Sequence, residues 1–132
     1  MKSPFEIRKL PPKAKNPWFE FINRTCKTRL GREASGHTFF GVFLKDVLVA
    51  FGGVRCNRGN WYLGLTYVRE RYRGKGLQRK LIEERLKYLK LKTKTVRVGV
   101  KPGNMYSLNN IIWSGFRFEK AKEGYYVYKI EL

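Results

Sequence analysis

Acidic residues are scarce in this chain: 10 Asp and Glu stand against 29 Lys and Arg in 132 residues, a formal charge of +19. Such a balance attracts nucleic acid, anionic surfaces and phosphate-rich ligands, and it repels small cations such as polyamines unless the site is locally acidic. High net charge also serves solubility, so charge alone does not name a partner. Histidine occurs once, at His37, and cysteine twice, at Cys26 and Cys56, with no CxxC pair. That set cannot build a zinc site, so no metal is expected and both thiols read as free in a reducing compartment. Long apolar runs are absent too. Nothing approaches the roughly 18 residues of a membrane span, and MKSPFEIRKLPPK lacks the apolar stretch of a signal peptide. A cytoplasmic protein is expected.

Hydrophobic residues make up 42% and aromatics 15%, spread along the whole chain. This argues for one folded domain over 1–132. Residues 4–10 predict a strand, ended by Pro11 and Pro12. Asn16 as N-cap and Pro17 at the first helical position open a helix through WFEFINRTCKTRL, closed by Gly31. HTFFGVFL (37–44) and VLVAFGGVRC (47–56) predict strands joined by a tight turn at Lys45-Asp46. After a turn at Arg58-Gly59-Asn60, WYLGLTYV (61–68) predicts a third strand. From Lys75 to about Leu91 the spacing of Leu77, Leu81, Ile82, Leu86 and Leu89 predicts a helix whose apolar face is interrupted by Arg85. TVRVGV (95–100) is a strand, 104–114 a helix closed by Gly115, and 116–118 and 125–130 are final strands turning at Glu123-Gly124.

The segment VRERYRGKGLQRKL (68–81) runs from a strand through a glycine pair into a helix. A helix start leaves N–H groups unpaired and carries partial positive charge. Gly74 and Gly76 allow close backbone approach, and Arg73, Lys75 and Arg79 add full charges. The result is a site for a phosphate or pyrophosphate; the alternative is a turn with solvated charges. A P-loop is excluded because Leu77 and Gln78 follow Gly76, and the three-glycine dinucleotide fingerprint is missing.

Arg71-Tyr72-Arg73-Gly74-Lys75-Gly76 resembles the GNAT superfamily signature Arg/Gln-x-x-Gly-x-Gly/Ala. Val68, Tyr72, Leu77 and Gln78 match its commoner bacterial form, with Glu70 at a frequent Pro. Asn104, Ser107, Gly115 and Phe116 resemble a second family block at the family spacing. The resemblance implies an α+β (mixed α/β) three-layer fold with a central, mostly antiparallel, splayed sheet flanked by helices. It implies an acetyl-CoA-dependent N-acetyltransferase. The amides of 73–78 would hold the pyrophosphate, with Arg71 and Arg79 alongside. Thr66, Tyr67 and Val68 would contact pantetheine and the acetyl group. Asn104 and Ser107 would line the other side of the arm, and a backbone N–H near Val68 would polarise the thioester carbonyl.

The chain departs from the family at both catalytic positions. Tyr62 stands where a Glu base is frequent, and no carboxylate occurs from 47 to 69; Ile111 stands where a Tyr acid is frequent. Tyr62 and Tyr106 are the remaining candidates for proton transfer. His37 is a candidate base by being the one histidine, and as a lone residue before a strand reads as structural or exposed. Cys56 reads as buried filler, and Trp18, Trp61 and Trp113 as core or half-buried. Residues 69–101 carry 13 Lys/Arg against 3 Glu. Coenzyme phosphates match about three or four of these. The surplus at Arg85, Lys87, Lys90, Lys92 and Lys94 is either a solvated helix face or a contact for nucleic acid or a nucleoprotein. Two readings follow: acetyl transfer to an amine, on an acceptor of anionic character, or a nucleic-acid-binding GNAT-fold module with little or no catalysis.

Overall fold

The computed structural model describes residues 3–132. Seven strands, β1 (Phe5–Lys9), β2 (Thr38–Leu44), β3 (Val47–Asn57), β4 (Asn60–Val68), β5 (Thr95–Val100), β6 (Arg117–Lys122) and β7 (Tyr125–Glu131), form one sheet in the order β1-β2-β3-β4-β5-β7-β6. Every neighbouring pair is antiparallel except β4 and β5. Three helices, α1 (Phe19–Thr25), α2 (Leu77–Lys90) and α3 (Met105–Trp113), complete the expected α+β architecture.

Alternation along the strands sorts the apolar side chains onto two faces. On one, Phe39, Phe43, Phe51 and Leu65 meet Ile22 and Cys26 of the first helical stretch. On the other, Val42, Val49, Val54, Leu63, Val96 and Val98 meet Leu77, Leu81, Ile82 and Leu89 of α2 and Ile111 of α3. The sheet is therefore the middle of three layers.

The first helix begins later than its sequence suggests. Asn16 Oδ1 accepts from Trp18 N at 2.9 Å, which makes a turn before the helix rather than a cap on it. Beyond Thr25 the winding loosens into a π turn over Cys26–Leu30, and Gly31 closes it at φ 69°. Lys45 and Asp46, at φ 48° and 67°, make the β2–β3 hairpin. Asn60, expected in the next turn, is already the first residue of β4. Two burial expectations are corrected. Cys56 is exposed, because the far end of β3 runs past the part of the sheet that the helices cover. Trp113 is 58% exposed at the end of α3, with the Arg79 guanidinium 4.3 Å above its ring. Among the described residues no helix is long and apolar enough to cross a membrane.

Two irregularities in the middle of the sheet prepare the site. In β4 the pairing with β3 shifts, so that Leu65 and Thr66 stand opposite the single residue Gly52. Leu65 takes φ 50°, a left-handed conformation that an unbulged strand would not hold. Across the other edge, β4 pairs with β5 only at Trp61–Val96, Tyr62–Arg97 and Leu63–Val98. Beyond that point the two strands part.

Candidate active site

The parting of β4 and β5 opens a cleft of about 930 Å3. Tyr62 and Thr66 of β4, Gln78 of α2, and Asn104 and Ser107 at the start of α3 line it together. The same cleft is lined by Arg29–Arg32 after α1 and by Lys120, Lys122 and Tyr125 around the β6–β7 turn. Eight of its lining residues are Lys or Arg, and none is Asp or Glu. Among the described residues Arg97 is the one of these with an ion-pair partner: its guanidinium holds Glu119 in a two-point bridge of 2.9 and 3.1 Å.

The glycine loop lies at the mouth of this gap. A single 3₁₀ turn over Glu70–Tyr72 leads out of β4, and Arg73 Nε donates to Val68 O at 2.9 Å, fastening the loop to the strand end. Gly74 and Gly76 both take φ near 76°. That conformation favours glycine and turns successive amides toward one side. None of the amides from Gly74 to Arg79 finds a hydrogen-bond partner among the described residues; the first that does is Lys80, to Gly76 O at 3.2 Å. No acidic residue occupies the first turn of α2. Unpaired donors, the helix dipole, Arg73 and Lys75 all favour an anion there, so these residues fit a pyrophosphate.

Behind the loop, side chains tie α2 to α3. Gln78 Nε2 donates to Ser107 Oγ at 3.2 Å and Gln78 Oε1 accepts from Asn110 Nδ2 at 3.3 Å. Arg79 Nε donates to Asn110 Oδ1 at 2.8 Å, and Asn104 Oδ1 accepts from Ser107 N at 3.2 Å, capping α3. Gln78 and Asn104 thus meet the cleft while locking its walls. Asn110, buried at the centre of this network, carries no motif signal; a polar residue beside Ile111 on an otherwise apolar helix face is the one hint of it.

The remaining expected residues divide. Val68 is buried and Tyr67 turns its ring to Phe51 on the far face, and neither lines the cleft, which on β4 ends at Thr66. Their β4 edge has no β5 partner. Arg71 lies over Tyr72, 5.7 Å from its ring centre, and Leu77 is core. Tyr62 lines the cleft beneath the Arg55 guanidinium at 4.5 Å; Tyr106 is 49% exposed and outside the cleft. His37 stacks near Phe39, with Nδ1 3.3 Å from Ser35 O and its ring against Gly53 and Gly64 on the α1 side. Burial, helped by Arg55 and Arg32, holds its pKa below the usual imidazole value.

A sequence profile of the acetyltransferase (GNAT) family matches residues 5–116. The chain belongs to the GNAT acetyltransferase family. Its fold is similar to that of PaiA N-acetyltransferase from Thermoplasma acidophilum, solved with coenzyme A, at 18% identity and TM-score 0.76 over 97% of this chain and 99% of that one. It is also similar to a GNAT acetyltransferase from Elizabethkingia anophelis with acetyl-CoA bound (12%, TM-score 0.78, 99% and 100%). The ribosomal-protein-S18-alanine N-acetyltransferase of Escherichia coli is a third (17%, TM-score 0.73, 96% and 93%). No curated protein matches the sequence significantly. Membership makes the chain a GNAT-family acetyltransferase by its sequence profile; the bound coenzyme A and acetyl-CoA are features of the Thermoplasma and Elizabethkingia structures.

Proposed function

We propose that the protein transfers an acetyl group from acetyl-CoA to an amine on an acceptor that carries negative charge beside that amine. The observation that carries this is the cleft lining, eight cations with no carboxylate. A polyamine entering such a cleft meets only like charge. An acceptor bearing carboxylates or phosphates is drawn in, whether as a small molecule or on a macromolecule such as a nucleoprotein.

The acetyl thioester supplies the electrophilic carbonyl. The amides from Gly74 to Arg79 bind and orient the pyrophosphate, and the unpaired β4 edge from Gly64 to Val68 aligns the arm in the gap. A β4 backbone N–H at the Leu65–Thr66 bulge, nearer the apex of the gap than the expected Val68, polarises the carbonyl, while Gln78, Asn104 and Ser107 wall the arm on the other side. The lack of a Glu at position 62 has a compensation. Surrounding cations lower the pKa of a bound ammonium, so the acceptor loses its proton to solvent nearer neutral pH than it would in water. Positioning and a depressed acceptor pKa then do what a general base does elsewhere.

The test is thioester consumption with acceptor pools matched in amine but opposite in charge: acidic amino acids and peptides and aminoacyl-tRNA against polyamines and lysine-rich peptides. Acidic acceptors should be preferred at least tenfold in kcat/KM, and added salt should shrink the preference. A preference for polyamines refutes the charge argument.

A further inference from the structure

Arg85 lies in the middle of the apolar stripe of α2, between Leu81 and Leu89, and is 1% exposed. A buried guanidinium is normally matched by a carboxylate. Among the described residues Arg85 joins no ion pair. Its Nε donates to Leu81 O at 3.1 Å; its Nη1 donates to Gly53 O at 3.1 Å and to Gly64 O at 3.5 Å. No hydrogen bond among the described residues uses Nη2. Arg85 is also one of the residues that line the cleft, which leaves Nη2 as its donor without a protein partner there among the described residues. Burial pushes its pKa down to about 9, which leaves it a cation at neutral pH.

The position of this charge is informative. The last rung between β4 and β5 is Leu63–Val98, and Gly64, whose carbonyl Arg85 holds, is the next residue. The guanidinium therefore stands at the apex of the gap, and the glycine loop stands at its mouth. An arm anchored at the mouth and running along β4 brings its far end to the apex. No Asp or Glu lines the cleft to cancel the charge.

Resting on the reading that coenzyme A occupies this cleft, we propose that Arg85 receives the sulfur of the thioester and stabilises it as the departing thiolate. The amine lone pair forms the N–C bond; the C–S bond breaks and its electron pair goes to sulfur, beside Nη2; the amine proton goes to solvent. A phenol at position 111 would protonate that sulfur, and Ile111 cannot. A fixed cation makes the protonation unnecessary, because the thiolate leaves as an ion-paired anion.

The experiment titrates the thiol of bound coenzyme A by its ultraviolet thiolate absorbance. On the wild-type protein its pKa should fall about one unit or more below that of the free thiol. In step with this, coenzyme A should gain about tenfold over desulfo-coenzyme A as pH rises past the free thiol's pKa. Arg85→Met should abolish both effects with the affinity for desulfo-coenzyme A retained, and Arg85→Lys should keep part of the shift. Coenzyme A that binds with an unshifted thiol overturns the proposal. Failure of the wild-type protein to bind coenzyme A overturns the cleft reading as well, so the two failures are told apart. The wild-type titration needs no variant, so a misfolded Arg85→Met leaves the proposal refutable.

Discussion

Gly52→Ala asks how firmly the buried guanidinium is held. Gly52 faces α2 across from the β4 bulge, and a Cβ built there would lie 2.9 Å from Arg85 Cζ and 3.1 Å from Nε and Nη1. Real contacts of that kind do not occur, so the guanidinium must move. On the surface this would cost little, since the end of an arginine is flexible. Here the group is enclosed, and moving it breaks its bonds to Gly53 O and Gly64 O. Hydrogen bonds from a charged donor contribute about 1.5–3 kcal/mol each. Counting the short bond fully and the long one at half strength gives about 3 kcal/mol. Alanine in place of glycine in a strand returns about 0.5 kcal/mol. The net loss of roughly 2–3 kcal/mol should lower Tm by about 10 °C in a domain of this size. Urea unfolding of Gly52→Ala, Arg85→Met and the double variant closes a cycle. The alanine should cost almost nothing once Arg85 is Met. A single-variant loss under about 0.5 kcal/mol, or an equal loss in both backgrounds, refutes the packing argument.

Two further outcomes follow from other parts of the molecule. Gly76→Asp places a carboxylate at the N-cap of α2 and forces φ 77° on a side chain; coenzyme A affinity by calorimetry should fall at least 100-fold, and much less for Gly76→Ala. An equal loss for both would mean that backbone strain, not anion repulsion, governs the site. His37 is held neutral in the fold because burial lowers its pKa. The unfolded chain therefore binds its proton first, near pH 6.5, so this contribution to stability is complete above that pH and is lost as pH falls toward the folded value. The urea midpoint should decline faster in wild type than in His37→Gln between pH 7 and 5, and parallel curves would exclude the effect.

Most strands were legible because apolar, β-rich runs stop at turn residues; β5 begins and ends where TVRVGV does, whereas β6 continues to Lys122, four residues past its expected end. The shape of the loop was legible too, since a glycine pair between a strand and a helix marks a tight turn, and both glycines take positive φ. Asn104, expected from the family resemblance, lines the cleft, and its carboxamide caps α3. Arg85 shows where sequence reasoning stops. As a polar residue in a leucine stripe it reads as a flaw in the helix, and only the sheet shows that the stripe meets bulged backbone there, whose carbonyls need a donor. The bulge itself has no sequence mark, because Leu65 is not a residue that favours φ 50°. Cys56 and Trp113 were misjudged for one reason: residue type sets a preference for burial, while the ends of elements decide whether anything lies opposite.

The three rungs between β4 and β5 have a mechanical consequence. The β1–β4 half and the β5–β7 half of the sheet are riveted at one end of their shared edge and free at the other, like the blades of a pair of tweezers. α2 lies against the first blade, and its side chains reach α3 through the Gln78–Ser107 and Arg79–Asn110 bonds, so those bonds set how far the blades spread. A peptide-like arm laid along the free edges would supply the rungs that the chain itself omits. Substrate and protein would then share one continuous sheet for as long as the complex lasts, and departure of the spent coenzyme would unfasten it.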